Sequence, residues 1–416
     1  MKKQVLIIEE NSTVPFDPRV WNEASALNRN GYSVTVLCPC DKDYERRHEI
    51  IEGVHVYRHP ATKGGNTALT YLWEYGVALF WEVLYSWWIY LRHGFDVIQG
   101  CNPPDHLFLV ALPFKLLGVK YIFDHHDLNP ELYIAKYERQ DFLYNVLVRL
   151  ERLTYRFSDV VMVTNESYKE IAITRGDRDP NDVFVVRNGP DLERFQAATR
   201  NTALKYGKSF LVGYVGHISV QEGLDILVNV AGFIKDLGRH DIHFTCVGGG
   251  PSVPGLQQMV KDKGLGDMVN FTGRVSDAEL FDILATADVC VNPDKPCEMN
   301  DKSTMIKIME YMAFAKPIVQ FDLKEGRFSA GEASLYADNN NQVVDFAAKL
   351  LWLLDNPDER ERMGQFGRKK VEEELSWKYS VSNLLAAYQR SFDKAARLQL
   401  LPPASSKDTS RDAGSI

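Results

Sequence analysis

Short apolar runs rich in β-branched residues alternate with longer amphipathic runs along most of the chain. This alternation constrains the fold more than any other feature, because strands that alternate with helices form right-handed βαβ units around a parallel sheet. In the first half we predict strands at residues 5–8, 33–37, 96–99, 120–123, 160–163 and 183–186, with helices at 20–30, 71–92, 105–117, 142–157 and 167–174. In the second half we predict strands at 210–214, 242–247, 269–271, 289–291 and 318–321, with helices at 223–237, 255–263, 277–286 and 303–315.

A polar stretch at residues 188–208, with glycine, proline and charged residues, separates the two series. We therefore predict an α/β protein of two Rossmann-like, doubly wound parallel-sheet domains that face a cleft. Open α/β sheets bind ligands at the carboxyl ends of their strands, so the cleft is the predicted active site. The predicted boundaries are 1–190 for the N-terminal domain, 191–208 for the linker, 209–375 for the C-terminal domain, 376–398 for a C-terminal helix and 399–416 for a disordered tail.

The composition excludes several classes of protein. The 416 residues are 45% hydrophobic and 25% charged, which is typical of globular domains and not of disordered or collagen-like chains. Lys and Arg number 48 against 56 Asp and Glu, and the resulting net charge of −8 disfavours a nucleic-acid partner. The six cysteines form no Cys-x-x-Cys pair, which indicates reduced thiols in a cytoplasmic protein and neither disulfides nor a zinc site. The first apolar run, 5–8, is too short for a signal peptide.

Residues 71–91 are numerous enough to span a bilayer and are unusually aromatic, with four tryptophans and four tyrosines. Glu74 and Glu82 lie inside this stretch, and an acidic residue near the centre of a membrane helix costs about 2.5–3.5 kcal/mol. We therefore predict a helix that stays outside the hydrocarbon. Two interpretations remain open: a packed core helix, or a helix that docks at a membrane interface with Arg92 and His93 at its rim.

The residues from 301 to 317 combine groups that suit a nucleotide diphosphate. In one continuous helix, Ser303, Lys307 and Glu310 share a face. The helix N-terminus offers free amides and a positive dipole end to a phosphate, with Lys302, Ser303 and Thr304 beside it. The Glu310 carboxylate can accept two hydrogen bonds from a ribose diol. The alternative is a solvated face with an i, i+3 pair between Lys307 and Glu310.

Arg19 is a further candidate for contact with a phosphate. With Asp17 as N-cap and Pro18 as the first helical residue, Arg19 falls in the first turn. A cation there opposes the helix dipole by about 0.3–1 kcal/mol unless an anion lies in front of it. This placement indicates a phosphate from the donor or the acceptor near Arg19. A salt bridge to Glu23, one turn on, is the alternative.

Several segments resemble those of the retaining GT-B-fold glycosyltransferases of family four. In the second half they are NGPDLERF at 188–195, VGYVGHISVQEGLDIL at 212–227, FTCVGGGP at 244–251, NFTGRVSDAEL at 270–280, ADVCVNP at 287–293 and KIMEYMAFAKPIVQFD at 307–322. In the first half, DPRVWNEASALNRNGYSVTVLCP at 17–39 and FDHHDLNPELY at 123–133 resemble acceptor-side motifs of the same family. Each segment alone is weak, but their order and spacing are specific, and the resemblance extends to about residue 398.

The resemblance implies roles in donor binding for residues of the second half. Glu310 corresponds to the second Glu of the family's Glu–seven residues–Glu signature, which binds the ribose. Gly216 falls at the glycine turn where the backbone approaches the diphosphate, and Gly248 belongs to the second glycine segment. Arg274 and Val275 resemble the loop along the nucleobase.

The resemblance also implies a catalytic histidine. His126 resembles the family's active-site histidine beside the transferred sugar, and His125 is its rival because the doubled histidine makes the register ambiguous. A core histidine bonded to backbone is the alternative for either residue. Asp127 is expected to orient the imidazole or the sugar, with an N-cap or a loop hydrogen bond before Asn129 and Pro130 as its alternative.

The chain departs from the family pattern at positions where the family has charged side chains near the donor. The first Glu of the signature falls at Lys302, so the usual carboxylate near the sugar is a cation, and Glu298 or Asp301 are the possible substitutes. The family's Arg and Lys after the first strand of the second domain fall at His217 and Glu222. Lys302, His217 and the Lys at 307 are therefore the candidates for neutralising the donor phosphates, together with the Arg at 19.

The resemblance implies transfer of a sugar from a UDP- or GDP-sugar to a glycan or lipid-linked acceptor, with retention of configuration and no further cofactor. Two Asp-x-Asp triplets, 41–43 and 177–179, each have a cation at the centre and lie in polar, loop-like stretches. We therefore predict catalysis without a metal, in which helix N-termini, Lys and Arg stabilise the leaving charge.

Two alternatives to a transferase remain. The departures at Lys302 and Glu222 motivate a catalytically silent partner that binds a nucleotide sugar. A sugar-nucleotide epimerase on the same two-domain fold would need further acid/base carboxylates. The expected location is cytoplasmic, with peripheral contact at the inner membrane face through residues 71–92 as an open expectation.

Overall fold

The first of two parallel sheets lies in the N-terminal half of the chain. The computed structural model describes residues 2–61, 68–195 and 198–400. The strands of the first sheet are β1 (Gln4–Glu9), β2 (Ser33–Pro39), β3 (His48–Ile51), β4 (Val54–His59), β5 (Val97–Cys101), β6 (Lys120–His125), β7 (Val160–Val163) and β8 (Val183–Val185). Their spatial order is β3-β4-β2-β1-β5-β6-β7-β8, and the β3–β4 pair is antiparallel in an otherwise parallel sheet.

Six helices connect these strands in the described part of the N-terminal half: α1 (Pro18–Arg29), α2 (Ala68–His93), α3 (Phe108–Lys115), α4 (Asn129–Tyr137), α5 (Phe142–Phe157) and α6 (Glu166–Thr174). The predicted start of α1 is confirmed, because the Asp17 side chain accepts a hydrogen bond from the Val20 amide and Pro18 occupies the first turn. Fully buried strand residues form the core on both faces of the sheet, as expected for a parallel sheet covered by helices.

The second sheet contains β9 (Phe210–Val215), β10 (Ile242–Val247), β11 (Val269–Gly273), β12 (Val289–Asn292), β13 (Ile318–Phe321) and β14 (Ser334–Ala337). All its strands are parallel, in the order β11-β10-β9-β12-β13-β14. The helices of this half are α7 (Leu224–Asp236), α8 (Val253–Asp262), α9 (Asp277–Thr286), α10 (Glu298–Lys302), α11 (Ile306–Ala313), α12 (Lys324–Ala330), α13 (Gln342–Asp355) and α14 (Pro357–Lys370). The α/β class and its two parallel sheets are confirmed.

The last helix, α15 (Trp377–Leu400), returns to the first sheet. Its Leu384, Ala387 and Tyr388 are buried in the N-terminal core, and the Tyr388 hydroxyl donates to Oε1 of Gln99 at 2.5 Å. The chain therefore crosses between the domains twice. The two crossings touch, because the Trp377 amide donates to the Pro190 carbonyl at 3.1 Å.

Helix α2 has two different faces. Ala78, Glu82, Ser86 and Ile89 are buried against the domain. The large side chains exposed on the other face are Trp73, Phe80, Leu84, Trp87, Trp88 and Leu91, which at about 100° per residue fall in one stripe of the helix. Among the described helices, none has both the length and the apolarity needed to cross a bilayer.

Six elements were not predicted from the sequence, and two predictions are corrected. The unpredicted elements are the two strands of the β3–β4 hairpin, α4, α10, α12 and β14. The helix predicted over 303–315 starts too early, because the backbone is extended at Ser303 and Met305, and only α11 (Ile306–Ala313) lies within those bounds. The predicted tail 399–416 begins too early, because α15 extends to Leu400, and residues 401–416 lie outside the described residues.

Candidate functional site

Three neighbouring strands of the second sheet end at one cavity. Gly216 follows β9, Gly248 follows β10 and Arg274 follows β11, and these residues line a cavity of about 390 Å³ together with His217 and Gly249. The carboxyl ends of parallel strands meet at the same edge of a sheet, which explains why residues so distant in sequence converge. Four residues predicted to bind the donor therefore lie together.

Close backbone contacts explain why the cavity is built from glycine. The Gly216 amide donates to the Val247 carbonyl at 3.1 Å, and the Gly248 amide donates to the Gly273 carbonyl at 2.9 Å. Gly216 and Gly248 have φ angles of 154° and 130°, which L side chains rarely adopt. A Cβ atom on Gly248 would lie 1.9 Å from the Gly216 carbonyl oxygen. Any side chain at this position would therefore disrupt the wall of the cavity.

Arg274 links the two domains across the cleft. Its guanidinium carbon lies 4.2 Å from the ring centroid of Phe16, which belongs to the loop between β1 and α1. Such a cation–π contact contributes about 0.5–1 kcal/mol at an exposed site. Val275, the neighbouring residue, is half-buried. The carboxyl edges of the two sheets thus face each other at this point.

The predicted phosphate-binding segment 302–304 contacts the N-terminal domain. The Asn165 side chain donates to the Lys302 carbonyl at 2.8 Å and to Thr304 Oγ1 at 3.0 Å. The Tyr168 and Ser303 hydroxyls lie 3.1 Å apart. The structure therefore assigns these groups to an interdomain contact. Ser303 does not share a helical face with Lys307 and Glu310, because α10 ends at Lys302 and α11 begins at Ile306.

The lysines predicted to neutralise phosphates form ion pairs within the protein. Lys307 is buried, and its Nζ lies 2.8 Å from Oδ1 of Asp294, a buried carboxylate that follows β12. Burial raises the pKa of Asp294, and the positive charge of Lys307 opposes that increase. Lys302 pairs with Glu298 at 2.6 Å. Their charges are therefore partly compensated before any ligand binds.

The second domain contains two glutamates at positions that the family resemblance singles out, Glu222 and Glu310. Glu222, which replaces a family cation, accepts hydrogen bonds from the Ser219 amide and hydroxyl at 3.0 and 2.5 Å in a capping box. These local hydrogen bonds explain why a glutamate is tolerated in a segment that is predicted to bind an anion. Glu310 lies half-buried on α11. Its predicted contact with ribose stays a prediction.

His126 lies at the end of β6 with one ring nitrogen fixed. Its Nε2 donates to Oδ2 of Asp124 at 2.6 Å, and its amide donates to Asn102 Oδ1, also at 2.6 Å. The side chain is 15% exposed. Asp127 follows and is solvent-accessible, although protein surrounds it on most sides and this partial burial raises its pKa.

Asp124 also binds Arg19. The guanidinium Nη2 lies 2.6 Å from Asp124 Oδ1 and 3.2 Å from Glu23 Oε1, and Nη1 donates to the Val186 carbonyl. Arg19 is only 3% exposed. The structure therefore contains the salt bridge to Glu23 that was the alternative, and Arg19 belongs to an internal network instead of facing a phosphate.

His125 is enclosed in the core. Its side chain is fully buried, its Nδ1 lies 2.8 Å from the Tyr155 hydroxyl, and its ring stacks on Phe123. Burial lowers the pKa of His125 to about 3, so the imidazole is neutral at physiological pH. A group enclosed in this way cannot touch a substrate. The rival assignment of catalysis to His125 is therefore wrong, and His126 is the accessible histidine.

A second cavity, of about 410 Å³, lies in the N-terminal domain and shares Phe16 with the cleft. We call it the N-terminal cavity. Its lining includes Glu10, Ser12, Asp41 and Glu74. Nothing in the sequence indicated that these residues share a cavity, or that Asp124 and Asn102 hold His126, because the residues that meet here lie far apart along the chain.

Comparisons with known proteins agree with this architecture. Residues 17–189 match the family model described as glycosyl transferase 4-like domain, and residues 209–356 match the model described as glycosyl transferases group 1. The GDP-mannose-dependent alpha-mannosyltransferase of Corynebacterium glutamicum is 29% identical over 189 residues, which are 42% of this chain and 40% of that protein. Two further curated relatives, an alpha-D-kanosaminyltransferase and a sulfoquinovosyl transferase, are matched over 39% and 55% of their own length, so the chain spans about half the length of these relatives.

Solved structures share the fold over nearly the whole chain. Sucrose-phosphate synthase (tll1590) from Thermosynechococcus elongatus aligns with a TM-score of 0.77 at 16% identity, covering 94% of this chain and 100% of that one. Anabaena Alr3699/HepE in complex with UDP-glucose aligns with a TM-score of 0.69 at 14% identity, covering 93% of this chain and 99% of that one.

Proposed function

The chain belongs to the GT4-type glycosyltransferases of GT-B fold, and from this membership we propose that it transfers a sugar from a nucleotide diphosphate sugar to a glycan or lipid-linked acceptor. The observation that carries the proposal is the cavity at the ends of β9, β10 and β11. It collects two glycine turns and Arg274 opposite Phe16 of the other domain.

The donor occupies this cavity in the proposal. Backbone of the turns at Gly216 and Gly248 approaches the diphosphate closely, and Arg274 supplies positive charge to the leaving group or stacks on the base. Glu310 binds the ribose diol. The base is uracil or guanine, because the similar proteins include one named for GDP-mannose and one solved with UDP-glucose.

His126 positions the transferred sugar. Because Asp124 fixes Nε2, the nitrogen that His126 presents to a substrate is Nδ1. Asp124 stays ionised beside Arg19, and it holds the imidazole in one orientation. A hydrogen bond between Nδ1 and a sugar hydroxyl stabilises the oxocarbenium-like transition state by fixing the geometry of the reacting carbon.

The transfer proceeds with retention in this proposal. The acceptor hydroxyl oxygen attacks the anomeric carbon on the face from which the diphosphate leaves. The carbon–oxygen bond to phosphate breaks, the bond to the acceptor forms, and the acceptor proton passes to a phosphate oxygen. Backbone amides and Arg274 stabilise the leaving charge in place of a metal ion.

The acceptor lies at a membrane surface in this proposal. The exposed stripe of α2 carries three tryptophans, a phenylalanine and two leucines, with Arg92 and His93 at its end. Amphipathic aromatic rings beside basic groups favour the interface of an anionic membrane. A sugar acceptor on a lipid carrier would be presented there.

A panel of nucleotide sugars tests the proposal. We expect slow release of UDP or GDP from one sugar donor, and faster release when the acceptor is present. Isomerised sugar without nucleotide release would indicate the epimerase alternative. Tight binding without turnover would indicate the silent partner that Lys302 and Glu222 motivate. Either outcome overturns the transferase assignment.

A further inference from the structure

Three side chains with metal-binding atoms converge away from the donor cavity. Glu10 follows β1, Glu82 lies on the buried face of α2, and His106 precedes α3. One ligand atom of each lies within 4.8 Å of the others. Nε2 of His106 is 3.5 Å from Oε2 of Glu10.

The polar atoms of this group are buried without partners. Glu82 is 0% exposed, and neither of its carboxylate oxygens has a hydrogen-bond partner among the described residues. The same is true of Oε2 of Glu10 and Nε2 of His106. Buried polar groups in native proteins nearly always have a partner, and two unpaired carboxylates repel each other. A cation bound between them would satisfy all three side chains.

We propose that Glu10, Glu82 and His106 form a site for one divalent cation of the Zn²⁺ or Mn²⁺ class. Two carboxylate oxygens and an imidazole nitrogen are ligands that these ions share. The Tyr75 ring packs edge-on against the His106 ring at 5.7 Å between centroids, which restricts the orientation of the imidazole.

The proposed site is connected to solvent through the N-terminal cavity, and an ion bound there would hold neighbouring elements together. Glu10 also lines the N-terminal cavity, and so does Ala78, one turn before Glu82. The cavity therefore gives an ion access and room for a coordinating water. Bound there, the ion ties the loop after β1 to α2 and fixes one wall of the cavity. This role is separate from sugar transfer, and no step of the proposed mechanism passes through the ion.

Metal titration of the full-length protein tests the proposal. After chelator treatment and dialysis, Zn²⁺, Mn²⁺ and Co²⁺ are each titrated by calorimetry. We expect one tight equivalent, a rise in melting temperature on binding, and at least tenfold weaker binding in Glu82→Gln and His106→Gln. Glu74→Gln is the matched control, because Glu74 lies on α2 and lines the same cavity. It should bind like the wild type.

The contrary outcomes are distinct. The assignment fails if the wild type binds no ion, if the variants bind as well as the wild type, or if the Co²⁺ spectrum shows thiolate ligation from a cysteine. Should Glu82→Gln not fold, Glu10→Gln, at the ligand residue that lines the N-terminal cavity, provides the same comparison. A folded Glu10→Gln protein with wild-type affinity would also exclude the site.

Discussion

At the scale of single residues, one buried carboxylate connects an arginine and a histidine of the N-terminal domain. Asp124 binds both Arg19 and His126 at 2.6 Å. Burial alone would raise its pKa, but the charges of Arg19 and His126 outweigh burial and hold the pKa well below its usual range. Asp124 therefore remains an anion that orients His126.

The first prediction concerns His126. His126→Ala should lower kcat about 10- to 150-fold, which corresponds to the loss of one charge-assisted hydrogen bond of about 1.5–3 kcal/mol. The donor KM should change little, because His126 lies on the other domain from the donor cavity. Steady-state kinetics measure both constants, with His240→Ala on the exposed surface as control. Wild-type kcat in a folded His126→Ala protein would remove His126 from the site.

The second prediction concerns Glu310. Glu310→Ala should weaken binding of the nucleotide diphosphate by about 1.5–3 kcal/mol for each charge-assisted hydrogen bond to the ribose. Calorimetry with UDP and GDP measures this change. Glu279→Ala, an exposed carboxylate on α9, is the control and should bind as the wild type does. An unchanged dissociation constant for Glu310→Ala would place the ribose elsewhere.

At the scale of elements, the direction of the side chains at the end of β6 determines which of two adjacent histidines is buried in the core. Successive residues of a strand point to opposite sides, so one histidine enters the core beside Phe123 and the next stays partly exposed. The sequence shows the doubled histidine but not which member faces the core. That choice depends on Tyr155, which lies on α5.

The buried His125 gives a third prediction, on how the free energy of unfolding depends on pH. Its pKa is lowered to about 3 by burial, whereas the unfolded chain has a value of about 6.5. Between these values the unfolded state binds a proton that the folded state does not. The contribution of His125 to the free energy of unfolding is therefore complete above about pH 6.5 and decreases as the pH falls.

The loss between about pH 6.5 and about pH 5 should be about 2 kcal/mol. Urea unfolding at the two pH values measures it. His125→Phe keeps an aromatic ring and removes the titrating group, so its stability should decrease less over the same interval. Other groups titrate in both proteins, and the difference between them isolates His125. Equal losses in the two proteins would contradict the assignment.

The exposed face of α2 gives a fourth prediction. Trp73 and Leu91 are 71% and 81% exposed, and burying such a side chain contributes about 1.5–3 kcal/mol. The double variant Trp73→Ser, Leu91→Ser should therefore bind anionic lipid vesicles at least tenfold more weakly than the wild type in cosedimentation. Trp352→Ser, on α13 of the other domain, is the control. Equal vesicle binding by the wild type and the double variant would indicate that α2 does not meet the membrane.

The elements also show what can be predicted from sequence. Strands such as β1 and β7 contain runs of four apolar residues and were found from the pattern, whereas β3 is short and partly charged and was missed. The break between α10 and α11 could not be predicted, because it depends on hydrogen bonds from Asn165, more than a hundred residues away. The glycine turns could be predicted because a glycine in the local sequence itself indicates a tight turn or a close backbone contact.

At the scale of the whole molecule, the relation between the domains depends on a double crossing of the chain. Gly189 packs against the second crossing, where the π-helical turn Val371–Leu375 leads into α15. The same domain relation brings Arg274 onto Phe16 and the Ser303 hydroxyl beside Tyr168. No local pattern in the sequence specifies these contacts, since each joins segments far apart in the chain.

The fifth prediction tests this crossing. A Cβ atom on Gly189 would lie 1.9 Å from the Leu375 carbonyl oxygen, so Gly189→Ala must displace backbone at the crossing. Overpacking of this kind costs about 1–3 kcal/mol, and the melting temperature should fall accordingly. Because the crossing sets the distance between the domains, the donor KM should rise as well.

Gly255→Ala is the matched control, since a Cβ atom there meets nothing within 4 Å and lies in α8, where alanine favours the helix by up to about 1 kcal/mol. Scanning calorimetry and donor kinetics on both variants measure the two effects. A Gly189→Ala protein with unchanged stability and an unchanged donor KM would mean that the crossing yields without moving the domains. The width of the cleft would then depend on contacts such as that between Arg274 and Phe16, and not on the path of the chain.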